Sequence, residues 1–205
     1  MVKIPTGCAD FDLLFNYENS LLTMIYGEAA TGKTTLALLV TIAQAKKGKV
    51  LFIDTENGFS IERVKQLAPD YMSFLENIIR IHPSSLEEQE KVIMNLSKHV
   101  KVIIIDTIGF FYRVEVRQDP YKANKSLDNQ LRKLTSLARE GTFILLTNQV
   151  YSHLNGKIAA VGGDMVKNWS KCLIYLEKNP RNLKVEKPVK VEMFFKIEGG
   201  GIFKK

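Results

Sequence analysis

The stretch from Gly27 to Thr34 sets two glycines, a lysine and a hydroxyl at the spacing G-x-x-x-x-G-K-[ST], with Glu28, Ala29, Ala30 and Thr31 between Gly27 and Gly32. Glycines at those places let successive backbone N–H groups close around a phosphate. Lys33 then brings charge to the β- and γ-oxygens, and the Thr34 hydroxyl is suited to Mg²⁺. With Thr35 in the first turn of the following helix, residues 27–35 form the candidate nucleotide-binding segment. A metal–phosphate site also calls for a carboxylate at the end of a buried strand, and two compete: Asp54 after "VLFI" and Asp106 after "VIII". The run ending at Asp106 is the cleaner one, which makes Asp106 the choice for the Mg²⁺ ligand beside Thr34. Glu56, two residues beyond Asp54, falls at the same sheet edge. A carboxylate there could polarise water for attack on a γ-phosphate, or could be a solvated residue of the turn "DTENG".

These side chains need a scaffold of buried strands and flanking helices, and the hydrophobic pattern supplies one. "LLTMIYG" reads as a strand entering the glycine turn, and "KTTLALLVTIAQAKKG" as a helix stopped by Gly48. The strand "KVLFID", a helix over 60–67, the strand "IIRIH" and a helix opened by a capping box of Ser84 and Glu87 follow. Next come the strand "VKVIIID", a helix from Lys122 to Arg139 and the strand "TFILLTNQ". Residues 151–163 lack periodicity and read as a mobile loop. The segments "KCLIYLEK", "NLKVEK" and "KPVKVEMFFKIEGGGIF" alternate around turn residues and predict antiparallel strands at the sheet's edge. The fold class is therefore α/β: a mostly parallel sheet flanked by helices, with a C-terminal antiparallel extension, as one domain over 1–205.

Composition is ordinary for a globular protein, 45% hydrophobic and 25% charged in 205 residues. No apolar run reaches the roughly 18 residues that would span a bilayer, so the expectation is a soluble cytoplasmic protein without a membrane partner. Cys8 and Cys172 lack C-x-x-C spacing and suggest neither a metal site nor a disulfide. The formal charge of +7 suits a polyanionic partner, and equally an ion-paired charged surface. His82 and His99 have no ligand-spaced partner and receive no role.

The segments "IPTGCADFD", "YGEAATGKTTLA", "FIDTENGFSIERV", "VIIIDTIGFFYR", "LTNQV" and "GGDMVKNWSKCLIYLEK" occur in this order in the RecA-like recombinases. The chain most resembles their archaeal RadA and RadB branches. The resemblance covers nearly the whole chain and implies a RecA-like P-loop ATPase core that uses ATP and Mg²⁺. It implies that Glu56 is the catalytic carboxylate, and that Gln149 senses the γ-phosphate and connects to a DNA-binding loop. DNA contacts would come from a first loop over 113–124, with Arg113, Arg117, Lys122 and Lys125 as candidates. A second loop over 151–162 would add Tyr151, His153 and Lys157. Basic groups there would hold phosphates and Tyr151 would stack on a base. Phe110 and Phe111 read as core or interface residues.

Departures from the strand-exchange branch point toward the RadB paralogues. The chain starts at the segment before the phosphate loop, without a helical N-terminal domain or protomer-joining linker. "FNYENS" stands in place of a glycine-rich stretch, Ala30 in place of a usual glycine, and the second loop is short. That family implies weak ATP hydrolysis indifferent to DNA, binding of single-stranded or branched DNA without strand exchange, and a nucleoid-associated supporting role beside RadA and a Holliday-junction resolvase. It also leaves room for homo-oligomers. A DNA-stimulated recombinase ATPase is the first alternative. A KaiC-like regulatory ATPase is the second, disfavoured because Thr55 and Glu56 stand where those proteins carry adjacent acids.

Overall fold

A computed structural model of the chain describes Asp12, residues 22–152 and residues 158–205. Its strands are β1 (Leu22–Gly27), β2 (Val50–Asp54), β3 (Ile78–Ile81), β4 (Val102–Asp106), β5 (Phe143–Ser152), β6 (Ile158–Ala160), β7 (Cys172–Lys178), β8 (Arg181–Lys187), β9 (Val191–Glu198) and β10 (Gly201–Lys204). The helices are α1 (Lys33–Ala45), α2 (Ile61–Leu67), α3 (Leu86–Met94), α4 (Phe110–Glu115), α5 (Pro120–Arg139) and α6 (Gly163–Trp169). The sheet runs β10-β9-β8-β7-β1-β5-β4-β2-β3, with β6 pairing β5 beside this path.

Alternation along the central strands divides the interior into two cores. Ile25, Phe52, Ile104 and Leu145 face α1 and α2, joining Leu36, Val40 and Val64. Their neighbours Met24, Ile53, Ile105 and Leu146 face the other way, against Leu127, Leu131 and Leu134 of α5, Ile93 of α3 and Val166 of α6. Since both faces of β1, β4 and β5 are covered, these strands read as continuous apolar runs. Each fully buried Leu or Ile contributes about 1.5–3 kcal/mol.

Strands β7, β1, β5, β4, β2 and β3 are mutually parallel, whereas β8, β9 and β10 run antiparallel. The expectation for "KCLIYLEK" is thus corrected: it is a parallel strand registered on β1 from Thr23↔Cys172 to Gly27↔Leu176. Only the segments after it form the antiparallel extension. That extension closes over α1, where Met193, Phe195 and Ile202 complete the first core.

Three further expectations shift. The capping box lies one residue later: Ser85 Oγ accepts from Glu88 N, while Glu88 Oε2 accepts from Ser84 N. The region 113–124 is mostly helical rather than a loop, because Asp119 accepts from Lys122 N and Pro120 sits in the first turn, starting α5 before Lys122. In the segment over 151–163 the described residues form strand, turn and helix rather than an irregular loop, and residues 153–157 lie outside the described ones. Strand β5 extends through Ser152 and pairs with β6, Val150↔Ala160 and Tyr151↔Ala159, and α6 follows at Gly163.

Candidate functional site

Parallel strands bring all their following turns to one edge, and there the sequence motifs converge. Gly27 ends β1 so close to β7 that a methyl on it would overlap the Leu176 carbonyl oxygen. Ala30 adopts φ 62° and Gly32 φ 108°, both in the left-handed region. For Ala30 that conformation is uncommon, and it marks the position that glycine would fill at no cost. Helix α1 has no side-chain N-cap and no acidic residue in its first turn, so its leading N–H groups and positive dipole end are left to an anion.

Lys33 is buried, and its Nζ donates to Gly27 O at 2.9 Å and Glu28 O at 2.7 Å. Burial lowers its pKa, opposed by the carboxylates of Asp106, Glu56 and Glu28. A cavity of about 190 Å³ lies over the loop, lined by Ala30, Gly32, Lys33, Thr34, Thr35 and Ile197. Its walls offer N–H groups, an ammonium and two hydroxyls, a donor set that fits a phosphate chain. Glu28 and Ala29 are the exposed shoulder of the same loop.

The two strand-end aspartates pair directly in register, Asp54↔Asp106, and both are buried. Their partners differ. Asp54 accepts from Gly58 N at 2.9 Å, Phe59 N at 3.1 Å and Arg80 Nε at 2.9 Å, with Arg80 Nη2 at 2.7 Å. Its lone pairs fasten the turn that carries Glu56. Asp106 is held by hydroxyls, those of Thr147 and Thr34. Burial raises the Asp106 pKa while these two hydrogen bonds lower it, and the carboxylates of Glu56 and Asp54 raise it further. A buried carboxylate beside a hydroxyl at the phosphate loop suits a hard cation such as Mg²⁺.

Each residue of Thr147, Asn148 and Gln149 has a separate contact. Thr147 reaches Asp106; Asn148 Nδ2 donates to Val161 O at 2.7 Å, tying β5 to the end of β6; Gln149 Nε2 donates to Glu56 Oε1 at 2.8 Å and Oε2 at 2.9 Å. Thr107 Oγ1 also donates to Glu56 Oε1, at 2.8 Å. Gln149 Oε1 in turn accepts from Arg113 Nη1 at 3.0 Å. Arg113, Gln149, Glu56 and Thr107 thus form one hydrogen-bonded chain from α4 to the edge beside Lys33. Gly109, at the start of α4, permits this approach, since a methyl there would stand 2.5 Å from Asn148 Oδ1 and 2.8 Å from Val161 Cγ1.

The remaining basic candidates divide into two places. Arg113 and Arg117 share a groove of about 460 Å³ with Tyr112, Tyr151, Gly162 and Gly163, and Tyr151 is 43% exposed. Lys122 and Lys125 border a different hollow with Glu87, Glu90 and Glu115, and Lys122 pairs with Glu115 at 3.1 Å. His153 and Lys157 lie outside the described residues. Phe111 packs against the second core, and Phe110 stands edge-on to it at 5.0 Å between ring centroids. Sequence reasoning missed Thr147, Thr107 and Arg80. The threonine preceding Asn-Gln was the one available signal, being a polar residue in a run otherwise fit for the core.

A phosphate loop after the first strand, a strand-end Asp–Thr pair and a carboxylate–glutamine couple that spans β4 from the end of β2 to β5 define the RecA-like class of P-loop ATPase folds. The Rad51 family profile matches residues 1–202. The chain belongs to the Rad51 family, and within it to the RadB group. It is 38% identical over 175 residues to the DNA repair and recombination protein RadB of Methanocaldococcus jannaschii, covering 81% of this chain and 82% of that protein. It is 38% identical over 196 residues to the RadB protein of Methanosphaera stadtmanae, covering 89% and 84%. The crystal structure of the RadB recombinase superposes with a TM-score of 0.79 at 28% identity, covering 98% of each chain. Among the described residues no helix is long and apolar enough to cross a membrane.

Proposed function

We propose that this protein is an ATP- and DNA-binding accessory factor of homologous recombination and DNA repair, with weak ATPase activity and no strand exchange of its own. The observation that carries the reading is the chain Arg113–Gln149–Glu56, which joins a basic, aromatic groove to the carboxylate beside the phosphate loop. Residues 27–35 hold the phosphates of ATP, with Lys33 on the β- and γ-oxygens. Thr34 and Asp106 would hold Mg²⁺, which would supply charge neutralisation to the phosphates. Glu56 orients and polarises the attacking water, and Gln149 reports the state of the γ-phosphate to α4 and β5. Arg113, Arg117 and Tyr151 contact single-stranded or branched DNA, the arginines on phosphates and the tyrosine on a base.

Every side chain this chemistry needs is present, so slow turnover has a different origin. RecA-like sites are completed across protomer interfaces, and without a neighbouring protomer Glu56 lacks that complement; enforced oligomerisation that leaves hydrolysis unchanged would sink this explanation. Residues 1–205 act as one RecA-like core. The cell compartment is the cytoplasm, at the nucleoid, and the partners are the RadA recombinase and a Holliday-junction resolvase. The names of the relatives, DNA repair and recombination proteins, support the role in recombination and repair.

The test is ATP turnover with Mg²⁺, with and without single-stranded DNA, beside DNA binding at two salt concentrations. The expected result is slow, DNA-indifferent turnover with binding that weakens as salt rises. Strong stimulation by DNA would make the protein a working recombinase motor instead.

A further inference from the structure

The C-terminal strands reach the phosphate loop at three points, none of them in a nucleotide-binding motif. The Leu176 carbonyl of β7 closes on Gly27. The Ile197 side chain of β9 covers Gly32, where a methyl would stand 2.7 Å from Ile197 Cδ1. Arg181, the first residue of β8, donates from Nη1 to Ala30 O at 3.0 Å and to Thr31 O at 3.3 Å.

We propose that Arg181 is a positioning residue of the phosphate loop, which orients the loop's N–H groups toward the nucleotide by gripping two of its carbonyls from behind. This rests on the reading of residues 27–35 as the ATP site. The argument is geometric. In a planar trans peptide the C=O and the following N–H point in opposite directions. Fixing the carbonyls of Ala30 and Thr31 on Arg181 therefore turns the N–H groups of Thr31 and Gly32 to the opposite side, toward the phosphates. Charge-assisted bonds of this kind are among the stronger ones a loop can make. The loop needs such help, because Ala30 holds φ 62° without the freedom of glycine. Arg181 is attached to the hairpin β7–β8, so the antiparallel extension and the nucleotide are energetically coupled, and whatever shifts the hairpin shifts ATP affinity by the same factor in return.

The experiment measures ATP and ADP affinity, with a fluorescent nucleotide as probe, for the wild type, Lys33→Ala, Arg181→Ala, Arg181→Gln and Arg181→Ala combined with Ala30→Gly. Arg181→Ala is expected to weaken ATP and ADP alike by about tenfold, since both carry the β-phosphate that the loop surrounds. Its thermal midpoint should move by less than about 3 °C. Arg181→Gln, which keeps an amide donor, should fall between wild type and Arg181→Ala. Adding Ala30→Gly should recover part of the loss, because glycine takes the left-handed conformation unaided. A residue that merely stabilised the hairpin would show no such rescue. Wild-type affinity in both Arg181 variants, or a double variant no better than Arg181→Ala, overturns the proposal and leaves the ATP site standing if Lys33→Ala is impaired. A wild type that binds neither nucleotide overturns the ATP reading itself, and this inference with it.

Discussion

Asp54 and Asp106 end neighbouring strands, stand opposite each other in register and are both buried, yet their surroundings differ in kind. After Asp54 the chain turns back and saturates the carboxylate with two backbone N–H groups and the Arg80 guanidinium. After Asp106 the partners are the hydroxyls of Thr147 and Thr34. Backbone N–H groups and a guanidinium can only donate, so they make a fastening. Hydroxyls rotate and accept as well as donate, so they can give way to a metal-bound water. What separates the two strand-end aspartates is therefore the kind of donor around each, not burial.

The comparison breaks first at Asp106. Asp106→Asn keeps the size and the hydroxyl partners but removes the charge, and is expected to lower Mg²⁺-dependent ATP turnover at least about 100-fold while the folded protein persists. Unchanged turnover would hand the metal role back to Asp54. Lys33→Ala comes next, with ATP affinity expected to fall about tenfold or more in equilibrium binding. Asp54→Asn should act on stability instead: leaving Arg80 without its buried carboxylate costs about 2–4 kcal/mol in denaturant unfolding, with ATP affinity retained in the folded fraction. Loss of affinity without loss of stability would erase the distinction. The smallest effect belongs to Thr147→Val, which removes one hydroxyl from Asp106 and should raise the Mg²⁺ concentration for half-maximal ATP binding about fivefold.

Much of this site is visible in the sequence because its spacing is local. The phosphate loop and the apolar runs that end in Asp54 and Asp106 each lie within a short stretch of chain, whereas the roles of Glu56 and Gln149 come from the family resemblance. The partners that distinguish the aspartates are not local. Arg80 comes from β3, 26 residues beyond Asp54, and Arg113 meets Gln149 across 36 residues. Parallel pairing of β7 was hidden for a related reason: the segment shows apolar and polar residues that suit either direction, and only its register on β1 decides. The capping box slipped by one because two serines are followed by two glutamates, so the spacing rule is met twice. The resemblance marks residues 113–124 as a loop, although Asp119-Pro120 is a helix-start signal in its own right.

Glu56 is the residue on which the account turns, since its contacts with Gln149 and Thr107 hold it at the strand edge beside the phosphate loop. The most direct measurement is ATP binding and single-turnover hydrolysis by Glu56→Gln, with Mg²⁺ present. The account predicts ATP affinity within about twofold of wild type and hydrolysis reduced to background, because the amide can still bond its neighbours but cannot polarise water. A loss of affinity matching the loss of hydrolysis would mean that Glu56 is a binding residue, and that the water is activated elsewhere.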